Sequence, residues 1–118
     1  MDIENVSMNI ILRASNAKKH LYEALNHARE AEFSQIESTM KHVSDELLEA
    51  HKLQTKLIQE DTQGGLENLS VLLIHAQDHL MSVISEKSLV GEMIEIYCKQ
   101  SEISKKVDYL MTRMIDGS

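Results

Sequence analysis

Thirteen residues decide how this chain folds: Leu69-Ser70-Val71-Leu72-Leu73-Ile74-His75-Ala76-Gln77-Asp78-His79-Leu80-Met81. Positions three and four apart share one face of an α-helix, so His75, Asp78 and His79 project from one side. Val71 and Leu72 lie on that side one turn earlier, which sets the ionisable groups inside an apolar frame. Because burying such groups is costly unless they are paired or liganded, the cluster needs an explanation.

Three interpretations of the cluster are open from spacing alone. The two histidines and the acid can be partly exposed surface residues without a function. His75 and His79, one helical turn apart with Asp78 between them, can ligate a metal. Alternatively, one histidine can be a nucleophile that carries a covalent group.

The apolar residues elsewhere alternate spacings of four and three, a pattern typical of packed helices. They predict helices from Asp2 to about Glu30, from Ser34 to about Gln59 and from about Ser70 to about Lys99. Only four glycines and no proline are present, so long helices are expected. The fold class is therefore all-α, an up-down antiparallel three-helix bundle. The first helix has a seam built mostly of alanine: Ile10, Ala14, Ala17, Leu21, Ala24, Ala28 and Ala31.

The connections are less clearly marked than the helices. The first turn is expected at 30–33, where Ala31 stands without a glycine to support it. A flexible loop is predicted at 60–68 around two adjacent glycines, with Asn68 or Ser70 capping the third helix. Residues 101–115 form a further amphipathic segment, out of phase with the third helix, so a break or bend is expected near Gln100.

Composition limits the function classes. The 118 residues fit a single domain, 1–118, and the net charge of −7 argues against nucleic-acid binding. The single Cys98 cannot form an internal disulfide, which is consistent with a cytoplasmic protein. No signal peptide and no apolar run long enough to cross a bilayer are evident, so no direct membrane insertion is expected.

Two blocks carry a resemblance to a known family. The block from His75 to Met81 resembles the active-site motif of the lactose/cellobiose family of phosphotransferase-system (PTS) enzyme IIA proteins. Glu49-Ala50-His51-Lys52-Leu53-Gln54-Thr55 and, more weakly, Glu95-Ile96-Tyr97 also match, so the resemblance runs from about Ile11 to Lys99. The extension 101–118 lies outside it. The family usually has glycine where Ser15 stands and Gly-Asp in place of Ala31-Glu32.

The resemblance implies a phosphotransferase component with a phosphohistidine intermediate, a phosphocarrier subunit of a sugar-uptake system. His75 would accept phosphate from phospho-HPr and pass it to the cysteine of a sugar-specific enzyme IIB. His79, one turn on, could donate a hydrogen bond to the phosphoryl oxygens. The residues themselves add three supporting candidates: Gln54, an amide in the seam of the second helix that could brace the site; His51, interpreted first as a structural or surface residue; and Gln77, which points to another side of the third helix. The motif leans towards the cellobiose and chitobiose members over the lactose ones, which often have glycine in place of an alanine in the histidine block.

The resemblance also implies a homotrimer in which Asp78 binds one Mg²⁺ per trimer on the three-fold axis. The apolar residues all round the first half of the third helix independently point to a subunit interface. Two alternatives from other classes remain at this stage. One is a non-catalytic metal-binding helical bundle that uses His75, Asp78 and His79, and the other is a coiled-coil interaction module.

Overall fold

Three long helices make up the fold in a computed structural model that describes residues 2–62 and 70–117. They are α1 (Ile3–Arg29), α2 (Ile36–Thr62) and α3 (Val71–Asp116), and a short 3-10 helix, Phe33–Gln35, leads into α2. No strand occurs among these described residues. The all-α prediction is confirmed, and the starts of all three helices lie within two residues of the predicted positions.

Side-chain pairs between the helices show their directions. Arg13 of α1 bonds to Glu46 of α2 at 3.3 Å, and seven residues further along α1 the His20 ring faces that of His42. As residue numbers increase along α1, the numbers of the contacting residues in α2 decrease, so these two helices are antiparallel. Contacts between α1 and α3 instead run in the same direction along both helices, so α3 is parallel to α1 and antiparallel to α2.

α1 is the helix that holds the bundle together. It packs along both α2 and α3, whereas α2 and α3 contact each other much less. Alanine allows this because its short side chain lets the axes of two partner helices come close. Every predicted seam position of α1 from Ile10 to Ala28 is buried, and only Ala31, beyond the helix, is exposed. The facing side of α3 is buried at Leu73, Ala76, Leu80, Val83, Val90 and Ile94.

The turn after α1 has the hydrogen bonds of a Schellman motif. The Glu32 N–H donates to the His27 carbonyl at 2.7 Å, and the Ala31 N–H donates to the Ala28 carbonyl at 3.1 Å. Ala31 takes φ = 59°, the left-handed conformation that normally favours glycine. The turn therefore forms where the sequence predicts it, despite the unfavourable residue.

The start of α3 is also capped as predicted. The Ser70 hydroxyl accepts a hydrogen bond from the Leu73 N–H at 3.0 Å, so Ser70 is the N-cap. The predicted start of the loop, residue 60, is wrong, because α2 continues to Thr62. The remainder of that loop and Asn68 lie outside the described residues.

The expected break near Gln100 is wrong. α3 continues as one helix of 46 residues to Asp116, and the molecule extends over 79 Å. Neither glycine nor proline stands at 100–102, so nothing in the backbone chemistry stops the helix there. The change of phase in the apolar pattern moves the apolar side to another face without breaking the helix. Beyond Ser101, the described residues of α3 are exposed.

None of the helices in the described ranges 2–62 and 70–117 combines the length and the apolar content that a bilayer span requires.

Ala31→Gly should stabilise the protein. A residue with a Cβ in the left-handed conformation is strained by about 1–2 kcal/mol, and glycine relieves that strain. Part of the gain is lost, because glycine also makes the unfolded chain more flexible and so raises its entropy. We expect the free energy of unfolding in urea to rise by about 0.5–1 kcal/mol. Ala28→Gly, three residues earlier and inside α1, is the matched control and should lower it. A loss of stability with Ala31→Gly would contradict the strain at this position.

Candidate functional site

Four of the predicted site residues, His75, Gln77, Asp78 and His79, lie in the first three turns of α3, and the other two, Gln54 and His51, lie on α2. Ala76 and Leu80 are buried against α1 and thereby determine which way the residues between them project. His75 and Asp78 are exposed, while His79 is half-buried. The structure therefore keeps His75 on the outer surface, where another protein can reach its ring.

The His75 and His79 rings face each other. They are almost parallel, at an interplanar angle of 5°, and their centroids are 6.3 Å apart. The prediction that the two histidines share a face is confirmed.

Ser15 of α1 is a site residue that sequence reasoning missed. Its Oγ lies 3.1 Å from Nε2 of His79 and so joins α1 to α3 at the site. When the hydroxyl donates to Nε2, the proton of the neutral His79 ring is held on Nδ1. Sequence reasoning treated Ser15 only as a small residue for close packing. Its position beside Ala14 in the alanine seam was the available signal.

Gln77 is held by α2. Nε2 of Gln54 donates to Oε1 of Gln77 at 2.7 Å, and both side chains are half-buried. This bond provides the partner that an amide in the α2 seam requires. The third supporting candidate, His51, is exposed one turn earlier on α2, and its side chain makes no hydrogen bond to α3 in the described part of the chain.

Glu86, which continues the face of α3 that carries the two histidines, forms an ion pair with Lys18 of α1. Lys18 Nζ lies 3.6 Å from Oε1 of Glu86, two turns beyond His79. The other carboxylate oxygen of Glu86 is buried and has no hydrogen-bond partner among the described residues. Ser15 and Lys18 thus line the same polar side of the contact between α1 and α3.

Asp78 lies in an uncovered apolar surface. Val71, Ile74 and Met81 surround it and are 83%, 57% and 54% exposed. Within residues 2–62 and 70–117, Asp78 has no side-chain hydrogen bond or ion pair. A single chain therefore leaves uncovered the surface that sequence reasoning expected to be buried.

Residues 2–62 and 70–117 of one chain do not form a metal centre. No group of three histidine, cysteine, aspartate or glutamate side chains in the described part of the chain is arranged to hold a metal ion. His75, Asp78 and His79 share a side of α3, but they do not converge on one point. This finding removes the main support for a metal-binding bundle that uses these three residues.

Comparison with known proteins identifies what this arrangement resembles. The family model described as "PTS system, Lactose/Cellobiose specific IIA subunit" matches residues 5–98. A lactose-specific EIIA component of Streptococcus mutans is 38% identical over 96 residues, which cover 81% of this chain and 92% of that protein.

Solved structures agree. The crystal structure of the cellobiose-specific enzyme IIA from Bacillus anthracis superposes with a TM-score of 0.82 at 37% identity, covering 86% of this chain and 94% of the other. The IIA(chitobiose) chain from the solution structures of the Escherichia coli IIA(chitobiose)–HPr complex has a TM-score of 0.75 at 35% identity. It covers 86% of this chain and 98% of its own length. Residues 99–118 lie beyond the family match.

Proposed function

The chain belongs to the lactose/cellobiose-specific IIA subunits of the phosphotransferase system, and we propose that it carries the phosphoryl group on His75. It is a phosphocarrier for sugar uptake, with HPr as the donor and a sugar-specific enzyme IIB as the acceptor. The observation that supports His75 is its exposed ring beside His79, which Ser15 orients. We also assign the protein to the cytoplasm, where these soluble partners act.

His75 suits two successive transfers. A neutral imidazole offers a ring nitrogen lone pair near pH 7. The phosphorus–nitrogen bond to His75 forms as the corresponding bond to the HPr histidine breaks. In the second transfer that bond breaks as the thiolate of enzyme IIB attacks phosphorus. Phosphoryl transfer depends mainly on alignment and on balancing charge on the moving oxygens, so an exposed ring with an oriented neighbour is sufficient.

His79 supplies the oriented neighbour. With Nε2 engaged by Ser15, its Nδ1–H is free to donate to oxygen atoms of a phosphoryl group on His75. A donor held in advance costs no reorganisation when charge develops. Ser15 is then a positioning residue, because it acts on the phosphoryl group only through His79.

The amide pair has a supporting role. The hydrogen bond between Gln54 and Gln77 ties α2 to the turn of α3 that follows His75 and so limits movement of that turn. His51 has no contact with the site in the described part of the chain, and we assign it no step in the transfer.

Asp78 is proposed as a metal ligand shared between subunits. Each chain offers one exposed carboxylate within an apolar surface, so three chains packing there would bring three like charges together. A divalent cation would offset their repulsion, and carboxylate oxygen is a hard ligand that Mg²⁺ accepts. The proposal is a homotrimer with one Mg²⁺ held by three copies of Asp78, in which the ion supplies charge balance.

The sugar is assigned only as a class. The subunit transfers phosphate between proteins and does not contact the sugar, so no sugar pocket is expected in it. Ala76, where lactose-specific members often have glycine, favours a β-linked disaccharide of the cellobiose or chitobiose type.

His75→Ala should abolish labelling by radioactive phospho-HPr, because His20, His27, His42 and His51 lie outside the block that matches the family's active-site motif and His79 is engaged by Ser15. Helical content by circular dichroism should stay unchanged, since the exposed ring contributes little packing. His51→Ala is the matched control and should label like the wild type. Persistent labelling of the His75→Ala protein would refute the assignment.

His79→Ala should bind HPr but accept phosphate about 10²-fold more slowly in rapid-quench single-turnover measurements. Ser15→Ala should slow the step by about 3–10-fold, which corresponds to one neutral hydrogen bond. The double variant should be no slower than His79→Ala, because Ser15 acts through that ring. Additive losses would mean that Ser15 and His79 act separately.

Asp78→Leu should keep the trimer without metal. Burying leucine adds about 1.5–3 kcal/mol per chain and removes the charge repulsion. Sedimentation equilibrium should show that a chelator loosens the wild-type trimer and leaves the Asp78→Leu trimer unchanged. Ile74→Asp, which places a second charge in the apolar surface around Asp78, is a contrasting variant that should weaken the trimer. A wild-type trimer indifferent to both chelator and Asp78 would contradict the metal role.

A further inference from the structure

A second uncovered surface runs along the outer side of α3 towards its C-terminal end. It consists of eight residues that alternate spacings of four and three without interruption: Leu89, Met93, Ile96, Gln100, Ile103, Val107, Leu110 and Met114. We call it the tail stripe. Every member is exposed, and seven of the eight are apolar. Four consecutive heptads of this kind are the pattern of a coiled coil, in which each stripe packs into that of another helix.

The tail stripe continues the surface around Asp78. Asp78, Leu89, Ile96, Val107 and Met114 follow each other at intervals of eleven or seven residues. Eleven and seven residues are close to three and two whole turns, so the five lie within about 20° of one line along the helix. Because α3 is unbroken, a parallel association that covers the Asp78 surface also brings the tail stripes of the same copies together.

No part of the described chain covers the stripe beyond Ser101. α1 ends at Arg29, and the turn after it, at Ala31 and Phe33, lies beside Tyr97 and Ser101. The other ends of α2 and α3 meet at the opposite end of the bundle. An apolar surface of this length is unusual on a monomer and marks an interaction site.

Charge favours another copy as the occupant. Residues 99–117 carry four basic and three acidic side chains, whereas the remainder of the chain carries eight basic and sixteen acidic ones. The tail therefore meets a second copy of itself with little net charge repulsion. A basic membrane-binding helix or a tail that attracts an acidic protein would carry a larger excess of one sign.

We propose that the tail stripe forms a parallel coiled coil between copies of this chain, an interface that lies largely beyond the family match. Gln100 is the single polar residue in the stripe, and a polar residue at such a position specifies register at some cost in stability. The number of strands, three, rests on the trimer proposed above. The parallel orientation follows from the three-fold symmetry of that trimer, because a three-fold axis points α3 of every copy in the same direction along the axis.

Disulfide formation tests the geometry directly. In a Cys98→Ala background, Leu110→Cys places a thiol in the stripe. The matched control is Tyr109→Cys, at an adjacent residue of equal exposure, 59% against 58%, about 100° away round the helix. In glutathione buffers of graded redox potential, we expect at least 10-fold more interchain disulfide for Leu110→Cys at equilibrium. Equal cross-linking of the two variants, or none, would overturn the proposal.

Charge insertion in the full-length protein tests the energetics. Leu110→Asp should shift the concentration dependence of sedimentation towards monomer by at least 10-fold, and Tyr109→Asp should leave it near the wild type. Labelling of His75 by phospho-HPr should be unaffected by either variant, so failure of the coiled coil is distinguishable from failure of the phosphocarrier assignment.

Two results would assign the stripe to another occupant and overturn the proposal. One is wild-type binding to vesicles of anionic phospholipid that Leu110→Asp abolishes while sedimentation stays unchanged. The other is a loss of phosphate transfer to enzyme IIB with Leu110→Asp at unchanged assembly, which would make the stripe a docking surface for that partner.

Discussion

The close approach of two helices to the alanine seam of α1 is the constraint on which the rest of the structure depends. Both α2 and α3 use α1 as their main partner, and they contact each other little. Small side chains permit that closeness on both sides, so α1 determines where each neighbouring helix lies. The site follows from this, because Ser15 reaches His79 only when α3 packs tightly beside Ala14. A larger residue in the seam would move α3 away from α1 and would thereby break the hydrogen bond between Ser15 and His79.

Regular spacing made much of the fold predictable. The seams from Ile10 to Ala28 and from Leu73 to Ile94 follow helical geometry, which depends on sequence alone. The shared face of His75 and His79 follows from the same rule. The Ser15–His79 bond was not predictable, because it depends on the rotation of one helix against another. The continuity of α3 through Gln100 was also missed, because the shift of the apolar residues to another face of the helix was interpreted as a break in the helix.

The turn after α1 illustrates how tertiary contacts override local preference. Ala31 takes the left-handed conformation although its Cβ opposes it. The Schellman hydrogen bonds at Ala31 and Glu32, together with the packing of α1 against α2, hold it there. Local chemistry alone could not choose between a turn here and a single longer helix, and it is the pairing of two buried seams that decides.

The unbroken α3 also sets how this protein meets its partners in solution. His75 and Met114 are 39 residues apart on one helix, which corresponds to about 58 Å along its axis. One chain measures 79 Å by 19 Å by 18 Å, so these two residues lie towards opposite ends of an elongated subunit. A carrier protein approaching His75 therefore meets a surface far from the tail, so binding at one end leaves the other sterically free. Phosphate exchange and tail association can proceed at the same time on one molecule.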